Sequence, residues 1–440
     1  MKLIKHIIIV DLDDGKKLLI NSLHGHIDEI DKNTYDKIAQ WQQLEDIDES
    51  ILTIEDDELY EYLNNRGFLV HDDEEEARIK DAMLTMLRHA NARDRKHRKL
   101  LTFILTYGCN FACTHCHNEN KASNTITKEQ IDAALLLTDH HLEYIDFHGG
   151  EPLLPKTKPL MAYIFQNIPD KKFGINTNGY HLDEFVDLLK TVHVYRVTVT
   201  LDGIDESHDK RRTLSDGNPT FNKIIMGIEK CLENNLPIRI RTNVTSVTET
   251  DKIKNYFNKH TQKYGDLITF EDATPKILPH EPSNHVIADI YRSSIHDTPQ
   301  DRLKKHGLLA SFNPIINAIT VSSPIQPIYS FCYAHGNKLV VDPYGRMYTC
   351  LFSAGKEDTS VGTYYPTYKI KKNSIYNRNI DTIEACNDCI YSLLCGGGCP
   401  MRLKSHKNVL RPFCKSIKSQ IHDLLPKLYE VEKQKYYNQV

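Results

Sequence analysis

Three cysteines stand close together in Thr106-Tyr107-Gly108-Cys109-Asn110-Phe111-Ala112-Cys113-Thr114-His115-Cys116, with three residues between the first pair and two between the second. Thiolates packed this tightly can hold three corners of a cuboidal [4Fe–4S] cluster and leave the fourth iron without a protein ligand. An open iron can bind a substrate or cofactor, whereas a fully ligated cluster can only pass electrons. Zinc is the competing reading, and its fourth structural ligand could be His115 or His117. A second field of cysteines follows: Cys332, Cys350, Cys386, Cys389, Cys395, Cys399 and Cys414. Read piecemeal, its central four could form a zinc ribbon. Cys231 stands alone between the two fields on a helical stretch and reads as a packed core thiol.

These side chains need a scaffold. Leu100–Thr106 reads as a buried parallel strand, so the first cysteines sit on the loop at its carboxyl end. Barrels and open α/β sheets build their active sites there. Strands are expected at 100–106, 142–147, 172–176, 194–201, 237–244 and 266–271, with helices at 127–140, 157–167, 181–190, 219–235 and 249–262. Six strands alternating with helices imply an α/β fold whose parallel sheet curves into a partial barrel.

Other candidate groups fall at the ends of those strands. The second strand runs into His148-Gly149-Gly150-Glu151-Pro152. Paired glycines let backbone approach a ligand that side chains would exclude, although a lone Gly-Gly is usually just a turn. Glu151 can accept from an ammonium, and Pro152 stiffens the exit. In Asn176-Thr177-Asn178-Gly179, Asn178 can bond a ribose hydroxyl or cap the following helix. Thr200-Leu201-Asp202-Gly203 is followed by His208-Asp209-Lys210-Arg211-Arg212. Arg239 and Arg241 share a strand face, which lines a cavity or carries surface ion pairs.

Length and composition bound the rest. The chain has 440 residues, enough for two or three domains. Its 55 basic and 59 acidic residues nearly balance, and no basic stripe argues for nucleic acid. No run of 18 apolar residues suggests a membrane span, and Ile7-Ile8-Ile9-Val10 is too short for a signal segment. A cytoplasmic location is therefore expected, where eleven cysteines favour metal ligation over disulfides.

Residues 1–75 read as a separate α+β unit. Strands are expected at His6–Asp11, Lys17–Asn21 and Gly25–Ile30, helices at Lys32–Gln43 and Asp56–Asn65, and a closing strand at Gly67–Val70. Glu74–Arg98 reads as a connecting helix carrying Ala82, Met83, Met86 and Leu87 at helical spacing, with its basic end solvated. Residues 273–331 read as a bridge with helices near 284–294 and 301–311.

The cysteine loop resembles the CxxxCxxC signature of the radical AdoMet (radical SAM) superfamily. The resemblance implies a (β/α)6 core over 100–272 and S-adenosyl-L-methionine chelated by the open iron. It implies that Gly149, Gly150, Glu151 and Pro152 match the GGEP motif, which binds the methionine amino group. Asn178 then faces the cofactor, and His115 stands where an aromatic residue usually presents its backbone to the adenine. Thr200 and Arg212 fall on an SLDG…HDxxR stretch of sulfatase-maturase-like and peptide-modifying members, whose arginine can grip the methionyl carboxylate.

The second cysteine field resembles the SPASM motif at all seven cysteines and at Gly345. Asp342-Pro343-Tyr344-Gly345 reads as a hairpin turn that brings Cys332 and Cys350 together. The resemblance implies a SPASM domain over 332–440 with two auxiliary [4Fe–4S] clusters, three in all. Cys386, Cys389, Cys395 and Cys414 would ligate the distal one, and Cys332, Cys350 and Cys399 the proximal one. No cysteine occurs between Tyr333 and Thr349, so an open proximal iron, or a ligand such as His335, is expected.

Residues 1–75 resemble winged-helix-like leader-recognition domains, in which an edge strand can capture an extended peptide. The bland alternative is a structural cap on the barrel. Together the resemblances imply a peptide maturase that draws on a low-potential donor such as a flavodoxin or ferredoxin. A 5′-deoxyadenosyl radical would remove hydrogen from a precursor peptide to install a thioether, carbon–carbon or carbon–oxygen crosslink. A formylglycine-forming sulfatase maturase and a catalytically idle iron–sulfur scaffold are the alternatives.

Overall fold

The computed structural model describes residues 1–48, 50, 52–116, 122–243, 247–273, 315, 318, 323–331, 338–371, 375–403, 410–414, 417–418 and 420–438. His117, Cys332, His335 and the helices expected near 284–294 and 301–311 lie outside them.

The first unit contains β1 (Lys2–Leu3), β2 (Ile7–Asp11), β3 (Lys17–Asn21), β4 (Ile27–Ile30), α1 (Lys32–Trp41), α2 (Ile54–Asn65) and β5 (Leu69–Val70). Strands β2, β3 and β4 form an antiparallel sheet in that order, and β1 pairs with β5. The sequence reading lacked β1. Its two residues become a strand through pairing with Leu69 and Val70 rather than through periodicity of their own. Alternation along β2 and β3 sends apolar side chains to both faces. Ile7 and Leu19 join Ile38, Trp41, Tyr60 and Leu63 beneath the two helices. Ile8, Val10, Leu18 and Ile20 pack instead on Leu394, Cys395, Ile417, Ile421, Leu424, Leu425 and Leu428. The unit thus covers the second cysteine field rather than the barrel.

Helix α3 (Asp73–Lys96) has an acidic first turn and a basic last turn, matched to the helix dipole. Ile79, Met83, Leu84 and Leu87 pack against Leu23, Ile380, Ile383, Cys386 and Leu393. Met86 points outward, 59% exposed, so the apolar stripe is displaced from the one expected. The basic end is not simply solvated either. Arg95 lies over the Tyr376 ring at 4.4 Å, and Arg98 donates to the Tyr376 hydroxyl at 3.2 Å. Arg88 pairs with Asp381 at 2.6 Å.

The core then alternates β6 (Leu100–Ile104), α4 (Lys128–Leu135), β7 (Tyr144–His148), α5 (Lys158–Asn167), β8 (Lys172–Thr177), α6 (Leu182–Leu189) and β9 (His193–Thr200). After β9 come α7 (Glu206–Asp209), α8 (Phe221–Glu233), β10 (Ile238–Asn243), α9 (Val247–Tyr256), α10 (Asn258–Tyr264) and β11 (Ile268–Ala273). The helix expected over 249–262 is divided at Phe257, a fully buried ring, and α4 stops short of the expected 140.

Strands β6 to β11 are parallel and adjacent in chain order, and β11 ends the sheet without bonding to β6, as a partial barrel requires. The register separates two faces. Leu101, Phe103, Ile145, Phe147, Phe173, Ile175, Val197, Val199, Ile238 and Ile240 share one apolar core with Ile131, Met161, Ile164, Phe185 and Ile224 of the helices. The opposite face carries Thr102, Asp146, Arg196, Thr198, Thr200, Arg239, Arg241 and Glu271.

The sheet continues beyond β6 into the C-terminal region through β12 (Lys338–Val341), β13 (Arg346–Tyr348), β14 (Gly362–Thr363) and β15 (Lys369–Ile370). Strand β12 runs parallel to β6, then turns back into β13 at the expected Asp342–Gly345 hairpin. Helices α11 (Ser392–Cys395) and α12 (Leu425–Asn438) follow.

Candidate active site

The cysteine loop leaves the carboxyl end of β6 and hangs on two neighbours. One is the segment after α7: Ala112 N donates to Thr213 O at 2.9 Å, Thr114 N to Arg211 O at 3.2 Å, and Ser215 N to Asn110 O at 2.9 Å. The other is the loop after β7, where Gly150 N bonds Thr106 O at 3.0 Å and Glu151 N bonds Gly108 O at 2.9 Å. Gly149 has φ of +139°, and a Cβ there would strike Thr106 O. A Cβ on Gly150 would strike the Tyr107 and Gly108 carbonyls. The backbone these glycines admit is therefore the cysteine loop itself.

Glu151 is buried, and its carboxylate already takes three donors. Thr177 Oγ1 lies at 2.6 Å and Leu153 N at 2.8 Å from Oε1, while Asn178 N lies at 2.7 Å from Oε2. Burial raises its pKa against the effect of those hydrogen bonds. Glu151 thus ties the end of β7 to the end of β8. Pro152 is buried beside it, its carbonyl accepting from Thr157 Oγ1 at 2.6 Å. Asn178 is also committed. Its Oδ1 accepts from Tyr180 N at 3.0 Å, and its amide donates to Asn110 Oδ1 at 2.8 Å and lies 3.9 Å from Cys109 Sγ.

Asp202, just past β9, anchors the other side of the loop. Arg212 Nε donates to its Oδ2, and Asn243 Nδ2 to its Oδ1 at 2.8 Å. His115 Nε2 lies 2.9 Å from Oδ2, a contact without hydrogen-bond alignment. Burial alone would raise the Asp202 pKa, but Arg212 and His115 hold it below the usual carboxylate range. Arg212 Nη1 reaches Cys113 Sγ at 3.9 Å. Burial works against the Arg212 charge, yet Asp202 and the Cys113 and Cys116 thiols outweigh it and raise its pKa. His208 accepts from Asp202 N at 3.3 Å, and burial lowers its pKa to about 4. Thr200 sits at the end of β9, opposite Arg241.

The structure therefore brings Cys109, Cys113, His115, Asn178 and Arg212 around one loop, with Cys116 exposed at its outer end. N–H groups aimed at thiolate sulfur favour the charged form that metals require. Phe111 N at 3.4 Å from Cys109 Sγ adds another. A tetrahedral zinc with bonds of about 2.3 Å holds its sulfurs roughly 3.8 Å apart. Among the described residues, no three cysteine sulfurs lie within 4.8 Å of one another.

In the second field, Cys386, Cys389, Cys395 and Cys414 are near enough to perturb one another. Burial raises the Cys395 pKa to about 12, and the other three thiols add to the rise. Burial likewise raises Cys350, with Cys399 as its neighbour. Cys231 is fully buried in α8, its pKa raised to about 12 by burial.

Sequence reasoning missed two organising residues. Asp202 stood within a quoted motif, and its charge beside Arg212 was the available signal. Arg378 carried no signal in a region of weak periodicity. It is fully buried, and donates to Gly398 O at 2.7 Å, Gly397 O at 2.5 Å and Arg411 O at 2.9 Å. It thereby shapes the loop from Cys395 to Cys399 and holds the segment leading to Cys414.

Residues 103–259 match the family description of the radical SAM superfamily. A GTP 3',8-cyclase of Clostridium botulinum (strain Langeland) is 26% identical over 319 residues, covering 68% of this chain and 92% of that protein. A probable GTP 3',8-cyclase of Archaeoglobus fulgidus is 30% identical over 174 residues, covering 37% of this chain and 57% of the other. Among solved structures, Streptococcus suis SuiB bound to precursor peptide SuiA superposes with a TM-score of 0.51 at 13% identity, covering 92% of this chain and 98% of that one. Native anSMEcpe with bound AdoMet and Cp18Cys peptide gives a TM-score of 0.50 at 18% identity, covering 77% and 98%. At these identities the structural likeness speaks for the fold alone. The cysteine loop, the open parallel sheet and the family match agree, and the chain contains a radical SAM domain.

Proposed function

We propose that this chain is an AdoMet-dependent radical maturase acting on a ribosomally made precursor peptide. The observation that carries the radical chemistry is the loop of Cys109, Cys113 and Cys116 at the strand ends, with Asn178 and Arg212 directed at two of its sulfurs. When bound there, a [4Fe–4S] cluster with AdoMet supplies a 5′-deoxyadenosyl radical that takes hydrogen from an unactivated carbon. Asp202 and Glu151 keep the surrounding loops in register, and Arg212, with Nη1 3.9 Å from Cys113 Sγ, is the proposed partner of a methionyl carboxylate. Strand β4, at the end of the first sheet, is the candidate binder of an extended leader. Cys350 with Cys399, and the group of Cys386, Cys389, Cys395 and Cys414, are the proposed auxiliary ligands, joined by Cys332. A low-potential flavodoxin or ferredoxin is the proposed donor.

The test is anaerobic reconstitution followed by reduction with dithionite. About twelve irons per chain are expected, with 5′-deoxyadenosine formed from AdoMet. The product should disappear when Cys109, Cys113 and Cys116 are all replaced by alanine. A candidate precursor is a short peptide encoded beside this chain, and its mass change identifies the bond. Zinc in place of iron and sulfide would overturn the reading. The likeness to GTP 3',8-cyclases favours a second reading, cyclisation of a nucleotide. GTP consumed in the absence of any peptide would select it.

A further inference from the structure

The polar face of the parallel sheet has a composition that the radical chemistry does not explain. Asp146 lies beside Gly174 and Arg196 across β7, β8 and β9, while Thr198 and Thr200 lie beside Arg239 and Arg241 on β10. A register shift near Gly174 lets both Tyr195 and Arg196 reach Asp146, at 2.7 and 3.1 Å. Gly174 is needed there, because any Cβ would run into the Asp146 carboxylate.

Three polar groups on this face are buried and lack a partner: Thr102 Oγ1, Thr198 Oγ1 and Arg196 Nε. Thr102 is 0% exposed and Thr198 is 2% exposed. Orphaned buried polar groups are uncommon and call for a ligand or ordered water. Arg239 and Arg241 share the single Glu271 carboxylate at 3.6 and 3.5 Å, longer than ordinary hydrogen bonds, so two guanidinium groups face one carboxylate. The row of Asp146, Arg196, Arg239, Arg241 and Glu271 thus carries three guanidinium groups against two carboxylates.

We infer that this face is a substrate subsite that takes one carboxylate of the peptide between Arg239 and Arg241, with Arg196 and Thr198 deeper in the same row. The inference rests on the proposed peptide reading. One excess positive charge suits a single carboxylate, whereas a nucleotide triphosphate brings several negative charges and would leave most of them unmatched. Bidentate guanidinium recognition supplies the geometry.

The experiment uses the reconstituted holoprotein and two pools of capped pentapeptides, identical except for Glu or Gln at the central position. Retention is read by mass spectrometry after filtration. The Glu pool should be retained about ten-fold better than the Gln pool. The preference should vanish in the R239Q/R241Q double variant. Millimolar glutarate should displace the Glu pool from the wild-type protein and glutaramide should not, which tests the subsite even if the variant fails to fold. Equal retention of both pools, a preference that survives in a folded double variant, or GTP outcompeting the Glu pool would each overturn the inference. Failure of the radical reading shows separately, as absence of 5′-deoxyadenosine from the wild-type protein.

Discussion

Glu151, Asn178 and Asp202 each spend their polar atoms on neighbouring protein groups, and that commitment gives the cysteine loop a defined shape. A buried carboxylate with three donors costs less than one left bare, yet it still resists ionisation through loss of water. His208 shows the same economy with a different sign. Its Nδ1 must be unprotonated to accept from Asp202 N, and burial keeps it so down to about pH 4. An unfolded histidine titrates near 6.5, so between these values the unfolded chain binds more protons and stability falls as pH falls. The contribution is complete above about pH 6.5 and is lost on acidification toward 4, amounting to about 3 kcal/mol. Asn can supply an acceptor at the Nδ1 position without titrating. His208→Asn should therefore flatten the decline in urea midpoint between pH 7 and 4.5 relative to wild type. Parallel declines would show that His208 is not held neutral.

At the scale of elements, the C-terminal cysteines depend on pieces that contribute no thiolate. Arg378 satisfies three carbonyls along the path from Cys395 to Cys414. Removing it strands those acceptors, each worth about 1–3 kcal/mol when buried and unpaired. Arg378→Met should lower the unfolding midpoint and reduce iron from about twelve to about eight per chain. The loss should fall on the group of Cys386, Cys389, Cys395 and Cys414 while AdoMet cleavage persists. Unchanged iron in the variant would remove Arg378 from this role. The barrel strands and the loops at their ends were legible because buried parallel strands are short apolar runs punctuated by Gly, Asn and Asp. The pairing of β12 with β6 was not, since parallel pairing between distant segments leaves no local period. The stripe on α3 was displaced because Met86 and Leu84 are equally apolar, and only the surface they meet decides which turns inward. The side-chain partners of Glu151 and Asn178 were equally hidden, because a motif names residues without naming what they touch.

For the whole molecule, the decisive surface is the second face of the first sheet. A detachable recognition module would keep its apolar residues to itself. Here Ile8, Val10, Leu18 and Ile20 enter one apolar cluster with Cys395, Ile417, Ile421 and Leu424, while Ile38 and Trp41 lie in a separate core beneath the helices. The first unit is therefore part of the wall around a proposed cluster ligand. Two alanine substitutions separate that role from ordinary stability, because Leu18 and Ile38 are both fully buried. Each should cost about 2–5 kcal/mol through lost burial and an unfilled cavity. Leu18→Ala should also speed iron loss to a chelator, since the cavity opens in the apolar cluster that includes Cys395. Ile38→Ala should destabilise the first unit and leave that rate unchanged. Chelation followed by absorbance, alongside denaturant unfolding of both variants, gives the comparison. Equal chelation rates at equal destabilisation would mean that the first unit only rests on the cysteine region and does not shield it.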